Sequence, residues 1–202
     1  MRHKKIIWFL SSLPFLLTSC SIFSPIKTES TNTYVLSSTP MVSIKQSQRP
    51  VTLLVNYPQT TAMYNTTQMI YSTQSFKVAY FTKNQWAETP SQMLLPLITK
   101  TIESTHYFRH VMTPGVLGQY DYVLNTQLLK MQQVFFDHSS RVEIILRAQL
   151  IHAANNQIVA TKDFTVEQEA FPTPYGGVVA LNQAVSTVLS QLSMFLSHFQ
   201  MG

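Results

Sequence analysis

Cys20 is the one cysteine in the chain, and its thiol is the side chain best placed to do chemistry. It closes the stretch MRHKKIIWFLSSLPFLLTSC, in which Arg2, Lys4 and Lys5 make a positive start and Ile6 to Leu17 an apolar middle. Small residues then run up to the cysteine, as at the end of an export signal. Ser11, Ser12 and Pro14 interrupt the apolar part, which falls short of the roughly 20 residues of a stable spanning helix. Leu17-Thr18-Ser19-Cys20 resembles a lipobox. Cleavage is therefore expected after Ser19, with Cys20 left as a first residue that carries a thioether-linked diacylglycerol and an N-acyl chain. The plainer readings are an ordinary secretory signal and a small buried hydrophobe. The agreement of charged start, apolar middle and lipobox favours lipidation. A single cysteine makes no internal disulfide, so the exported body must rest on its core alone.

Other reactive side chains are scattered. His106 and His110 stand four apart, a spacing that aligns metal ligands on a helix, but THYFRHV reads as a strand or loop and no third ligand is evident. Asp121, Asp137 and Asp163 fall at strand ends or turns, where aspartate is common without any catalytic duty. No nucleophile elbow, phosphate loop, zinc spacing or dinucleotide fingerprint occurs. The chain reads as non-enzymatic, with no metal.

The net charge of +5 invites a nucleic-acid reading. Loss of Arg2, Lys4 and Lys5 with the signal takes Lys+Arg from 14 to 11 against 9 Asp+Glu, near +2. The remaining cations are isolated, whereas a phosphate-binding face needs them clustered, so nucleic acid is excluded as a partner. Only 11% of residues are charged against a usual quarter. Ser, Thr, Asn and Gln supply the surface polarity instead, as in an exported domain.

The elements that must position these residues follow from pattern. Residues 21–50 are rich in Ser and Thr with Pro25, Pro40 and Pro50, and read as a tether with a reach of roughly 30 Å. Within it Thr33-Tyr34-Val35-Leu36 is β-prone and suited to add a strand at a domain edge. Val51–Val55 opens the body, and Met69–Tyr71 with Phe76–Phe81 forms a hairpin around Ser72-Thr73-Gln74-Ser75. Thr89-Pro90 starts a helix, Pro90–Glu103, with Thr89 as N-cap and a bend expected at Pro96. Val142, Ile144, Leu146, Ala148 and Leu150 alternate with polar residues as in a half-buried strand. With Tyr122–Phe136 before it and Ile158–Val166 after it, this predicts an antiparallel meander. A last helix, Val178–Phe199, buries Leu181, Val185, Val188, Leu192 and Phe199. Asn182, Ser186, Ser190, Ser193 and Ser197 are expected to face away. Gly176-Gly177 reads as a turn before it. No charge occurs between Pro172 and Gly202, so that outer face suits sheet packing first and self-association second.

The fold expected is one α+β domain, a mixed sheet with a long antiparallel meander and two helices mainly on one face. Its boundaries are 1–19 for the signal, 20–50 for the lipidated tether and 51–202 for the body. Trp86 is expected to fill the seam between layers, with partner contact as its second use.

The chain resembles the ABC-type transport auxiliary lipoprotein family, the lipoprotein component of Pqi-like systems that move lipid through MCE proteins. The resemblance rests on the lipobox, Tyr34-Val35-Leu36, the Trp-Ala-Glu-x-Pro run Trp86 to Pro90, the meander, and Ala180-Leu181-Asn182-Gln183-Ala184 at the last helix. It implies an outer-membrane lipoprotein facing the periplasm and docked on an MCE-type protein and ABC transporter complex. Ser21 after the cysteine agrees with outer-membrane sorting. The expected contact residues are Tyr34, Leu36, Tyr80, Trp86, Ser190 and Ser193. Two other functions share the anchor: a periplasmic lipid-binding carrier, and a structural or pilot lipoprotein of an envelope assembly or secretion system.

Overall fold

The computed structural model describes residues 30–199. Among them the strands are β1 (Asn32–Tyr34), β2 (Arg49–Val55), β3 (Gln59–Thr60), β4 (Gln68–Gln74), β5 (Lys77–Trp86), β6 (Phe108–Met112), β7 (Tyr122–Phe136), β8 (Ser139–His152) and β9 (Gln157–Ala170). Helix α1 (Pro90–Ser104) follows β5, and α2 (Pro174–His198) follows β9.

The alternation around Val142–Leu150 builds the centre of the fold. β7 and β8 pair antiparallel from Tyr122↔His152 to Phe136↔Ser139, and β8 and β9 pair from His152↔Gln157 to Ser140↔Ala170. Asn156 takes a left-handed φ of 55° in the second turn, a conformation its short polar side chain tolerates. β7 extends over roughly 50 Å, long enough for its other edge to receive three short strands end to end. β2, β3 and β4 all run parallel to it, at Leu53↔Tyr122, Gln59↔Gln127 and Tyr71↔Gln133. The sheet therefore forks. One wing adds β6 beside β2, and the other adds β5 beside β4 and then β1, parallel, beside β5. It is the mixed α+β sheet that the sequence predicts.

Val142, Ile144, Leu146, Ala148 and Leu150 have no exposed surface, and they point to the side where α2 crosses β8 and β9. α1 packs beside α2 on β2 and β6. Thr89 caps α1 as expected: its Oγ1 accepts from the Gln92 N–H (3.4 Å), and the Gln92 side chain accepts from the Thr89 N–H (3.0 Å). Pro96 stands inside the helix on its exposed side.

Three expectations are corrected. The tether read over residues 21–50 gives way to folded chain from Asn32: β1 joins β5, Leu36 is buried, and β2 begins at Arg49, whose N–H donates to the Tyr107 carbonyl (2.7 Å). The β-prone run Thr33-Tyr34-Val35-Leu36 anticipates the edge strand, whereas the fastening of the next residues to Asn182 leaves no mark in Ser/Thr composition. α2 begins at Pro174, four residues before the expected Val178, since Thr173 Oγ1 accepts from the Gly176 N–H (3.0 Å) and Pro174 fits the first turn. Gly176 and Gly177 belong to that first helical turn. A Cβ at Gly176 would meet the Phe171 carbonyl, and one at Gly177 the Gln133 side-chain amide. Finally, Ser193 and Ser197 are buried rather than outward, with their hydroxyls donating to the carbonyls of Leu189 (2.8 Å) and Met194 (2.9 Å).

Candidate functional site

Cys20 and the recognition residues Leu17, Thr18 and Ser19 lie outside the described residues. What the structure defines is how the chain just after them is fastened. β1 pairs Asn32, Thr33 and Tyr34 with Asn84, Gln85 and Trp86. The Tyr34 hydroxyl donates to Asn84 Oδ1 (3.3 Å), and its ring lies 6.1 Å from that of Tyr175 in α2. Asn182 then holds the following residues: its Oδ1 accepts from the N–H groups of Ser37 (2.8 Å) and Ser38 (3.2 Å), and its Nδ2 donates to the Val35 carbonyl (3.1 Å). One side chain thus ties a strap, residues 35–38, across the last helix.

Asn182→Ala removes three of the strap's hydrogen bonds at once. Local opening should become easier by about 1–2 kcal/mol. The measurement is limited proteolysis, where cleavage between Val35 and Lys45 is expected to quicken roughly tenfold, since 1.4 kcal/mol is a factor of ten, while the melting temperature of the body hardly moves. An unchanged cleavage rate would mean that Leu36, not Asn182, holds the strap.

The expected contact residues separate into two groups. Leu36 and Trp86 are core residues, and Ser193 is buried, so none of these three offers a contact surface. Tyr34 and Ser190 are half-buried, and Tyr80 is exposed on β5. His106, in a turn with φ 53°, and His110, on β6, are exposed and share no helix, so the four-residue spacing does not make a ligand pair. Among the described residues no three His, Cys, Asp or Glu side chains gather as a metal site. Asp121 is a fastener, with Oδ2 accepting from the Thr52 N–H (2.7 Å).

Two features escaped the sequence reading. The face of the meander turned away from the helices carries a charge network. Glu143 accepts from Lys130 (2.6 Å) and Arg141 (2.9 Å), and Arg141 also reaches Glu167 (3.1 Å). Burial by itself would raise the Glu143 carboxyl, but the hydrogen bonds from Lys130 and Arg141 outweigh it and hold it below the usual carboxylate range. Arg147 and Asp163 form a second, exposed pair (2.7 Å), whose contribution to stability is small. The second feature is the turn between β9 and α2. Gln133 Nε2 donates to Ser140 Oγ (2.8 Å) and to the carbonyls of Phe171 and Thr173 (both 3.2 Å), pinning the turn to the sheet. Beside it an open, mainly apolar cleft of about 510 Å³ lies between Phe171, Tyr175 and Val179. A more polar cleft of about 550 Å³ runs along α1 at Tyr57, Pro96 and Lys100.

The described residues thus form an α+β domain with a forked mixed sheet, one helical layer and an N-terminal strand held by a strap. The chain belongs to the ABC-type transport auxiliary lipoprotein component family, whose model matches residues 34–193. It is therefore a lipoprotein-family protein associated with transport. The fold is similar to that of protein XCC0632 from Xanthomonas campestris, at 18% identity and a TM-score of 0.75, covering 82% of this chain and 94% of that one. A second similar structure, described only as an uncharacterized protein, has 16% identity and a TM-score of 0.67, covering 84% of this chain and all of the other. No functionally curated protein matches the chain.

Proposed function

We propose that the mature chain is a non-catalytic, lipid-anchored subunit of an ABC/MCE-type intermembrane lipid transport system. In this reading Cys20 carries diacylglycerol and an N-acyl chain and holds the domain at the periplasmic face of the outer membrane. The body docks on the MCE-type component, which conducts the lipid. The observation that carries the reading is the family match, which begins at Tyr34 and takes in the strap and the body together. The lipobox and Ser21 supply the anchor and its membrane. The cleft beside Tyr175 is open to solvent, whereas a carrier needs a pocket that encloses most of its ligand. Lipid conduction is accordingly assigned to the partner.

The test is affinity capture of the lipidated full chain from detergent-solubilised envelopes. Co-recovery of an MCE-type protein or of an ABC-transporter component is the expected result. Capture that retains the lipidated chain but neither component, under conditions that keep other envelope complexes together, overturns the docking role.

A further inference from the structure

The exposed aromatic side chains of this domain are not spread evenly. Phe76 sits at the tip of the β4–β5 hairpin, with φ 63° and full exposure at 110%. Phe136 ends β7 at the turn into β8 and is 44% exposed. Phe171 and Tyr175, 80% and 63% exposed, flank the β9–α2 turn. The topology brings all four together at one end. β4 runs parallel to β7 with Ser72 beside Val134, so the Phe76 tip lies level with the β7–β8 turn. Ala170 pairs with Ser140, which places the β9–α2 turn at the same level.

The direction of β1 says what this end faces. β1 is parallel to β5, with Asn32 beside Asn84 and Tyr34 beside Trp86. The first residue of β1 is thus the one nearer the Phe76 tip, roughly 23 Å away along the strand. The stretch from Cys20 to Asn32 spans at most roughly 40 Å when extended, enough to carry an anchor at Cys20 beyond the aromatic tips. Because β1 runs away from the aromatic end, the chain enters Asn32 from that side, and the aromatic tips lie within the reach of an anchor at Cys20.

From this placement we infer that Phe76, Phe136, Phe171 and Tyr175 form a membrane-facing end of the domain that seats in the headgroup region of the bilayer beside the lipid anchor. The inference rests on the reading of Cys20 as the lipidated residue. Aromatic rings are the side chains that settle at the membrane–water boundary, with an apolar body in the acyl region and, for Tyr, a polar tip in water. The flanking charges are of both signs: Lys77 follows Phe76, Arg141 lies over the Phe136 ring at 4.7 Å, and Asp137 and Glu169 are adjacent in sequence to Phe136 and Ala170. The occupant is therefore a bilayer met through aromatic insertion, without a need for anionic lipid. A rigid body seated end-on fixes which surface points into the periplasm. That surface is the opposite end, where the loop before β7 exposes Val116, Leu117 and Tyr120.

The test uses the lipidated full chain in phosphatidylcholine vesicles with brominated acyl chains. Single variants Phe76→Trp, Phe171→Trp and, at the opposite end, Leu117→Trp carry the reporter, and buried Trp86 gives the same background in each. About half of the added emission is expected to be quenched at positions 76 and 171, as for rings at the interface, and none at 117. Intact mass of each preparation reports the lipid on Cys20. Correct lipid mass with unquenched tips, or with quenching at 117 instead, overturns the inference and leaves the anchor standing. A mass without lipid overturns the anchor reading itself.

Discussion

Ser193→Glu is expected to unfold most of the protein, whereas Ser190→Glu, less than one helical turn away, is expected to leave it folded. Ser193 is 2% exposed, and its hydroxyl is satisfied within α2 by the Leu189 carbonyl at 2.8 Å. Around it Leu189, Leu192 and Leu196 are each buried in the core. A glutamate there places a longer side chain and a carboxylate among leucines, at a penalty of several kcal/mol even after the carboxyl protonates. That is comparable with the whole stability of a domain this size, about 5–15 kcal/mol. Ser190 is half-buried, so its substituent reaches water and the change should stay within about 1 kcal/mol. Thermal melts of the two variants decide the matter. A Ser193→Glu protein that melts like the wild type would mean that the side of α2 carrying Ser193 is open to solvent after all. The pair also separates folding from assembly. Self-association through α2, if it occurs, should be weakened by Ser190→Glu in a protein that still melts normally, and an unchanged assembly removes that face from consideration.

The failure of the serine spacing to report exposure has a simple cause. A serine inside a helix can satisfy its hydroxyl on the carbonyl one turn back, so burial leaves no mark on its polarity. Leucine and valine have no such option, which is why the apolar stripe of α2 and the alternation of Val142–Leu150 were legible in the sequence. The three meander strands were legible because each reads locally and its turns are short. The pairing of β2, β3 and β4 along one edge of β7 was not, since parallel contacts distant in sequence leave no local signal. The edge strand was legible in Thr33-Tyr34-Val35-Leu36, but the strap after it was not, since its holding group is Asn182, a residue that does not stand out in composition.

The same split runs through the candidate site. The lipobox-like run Leu17-Thr18-Ser19-Cys20 is contiguous and is read from the sequence alone. The aromatic end is not contiguous, because Phe76, Phe136 and Phe171 belong to three separate turns that only the register of the sheet brings level. The sequence also offered Leu36 and Trp86 as contact residues because apolar residues near a tether suit both an interface and a core. Burial decides for the core in both.

Trp86→Ala should therefore act on stability before it acts on any partner. Trp86 is 2% exposed, its backbone N–H donates to the Thr67 carbonyl at 2.8 Å, and it stands opposite Tyr34 where β1 joins β5. Truncating a buried tryptophan leaves a cavity and costs about 3–5 kcal/mol. At about 2–4 °C per kcal/mol for a chain of this length, the melting temperature should fall by roughly 10 °C. The next residue, Ala87, donates its N–H to the Tyr34 carbonyl at 2.8 Å, so a shift of the chain at position 86 loosens β1 as well. Since the strap and the segment leading back to Cys20 hang from β1, the same change should speed cleavage of residues 35–45. Trp86→Phe keeps most of the ring volume and should cost no more than about 2 kcal/mol. The two variants together separate the roles assigned to this residue. A core role predicts that Trp86→Phe keeps both fold and captured partners while Trp86→Ala loses stability first. A Trp86→Phe protein that melts normally but no longer captures the transport component proposed as its partner would make Trp86 an interface anchor and overturn the core assignment.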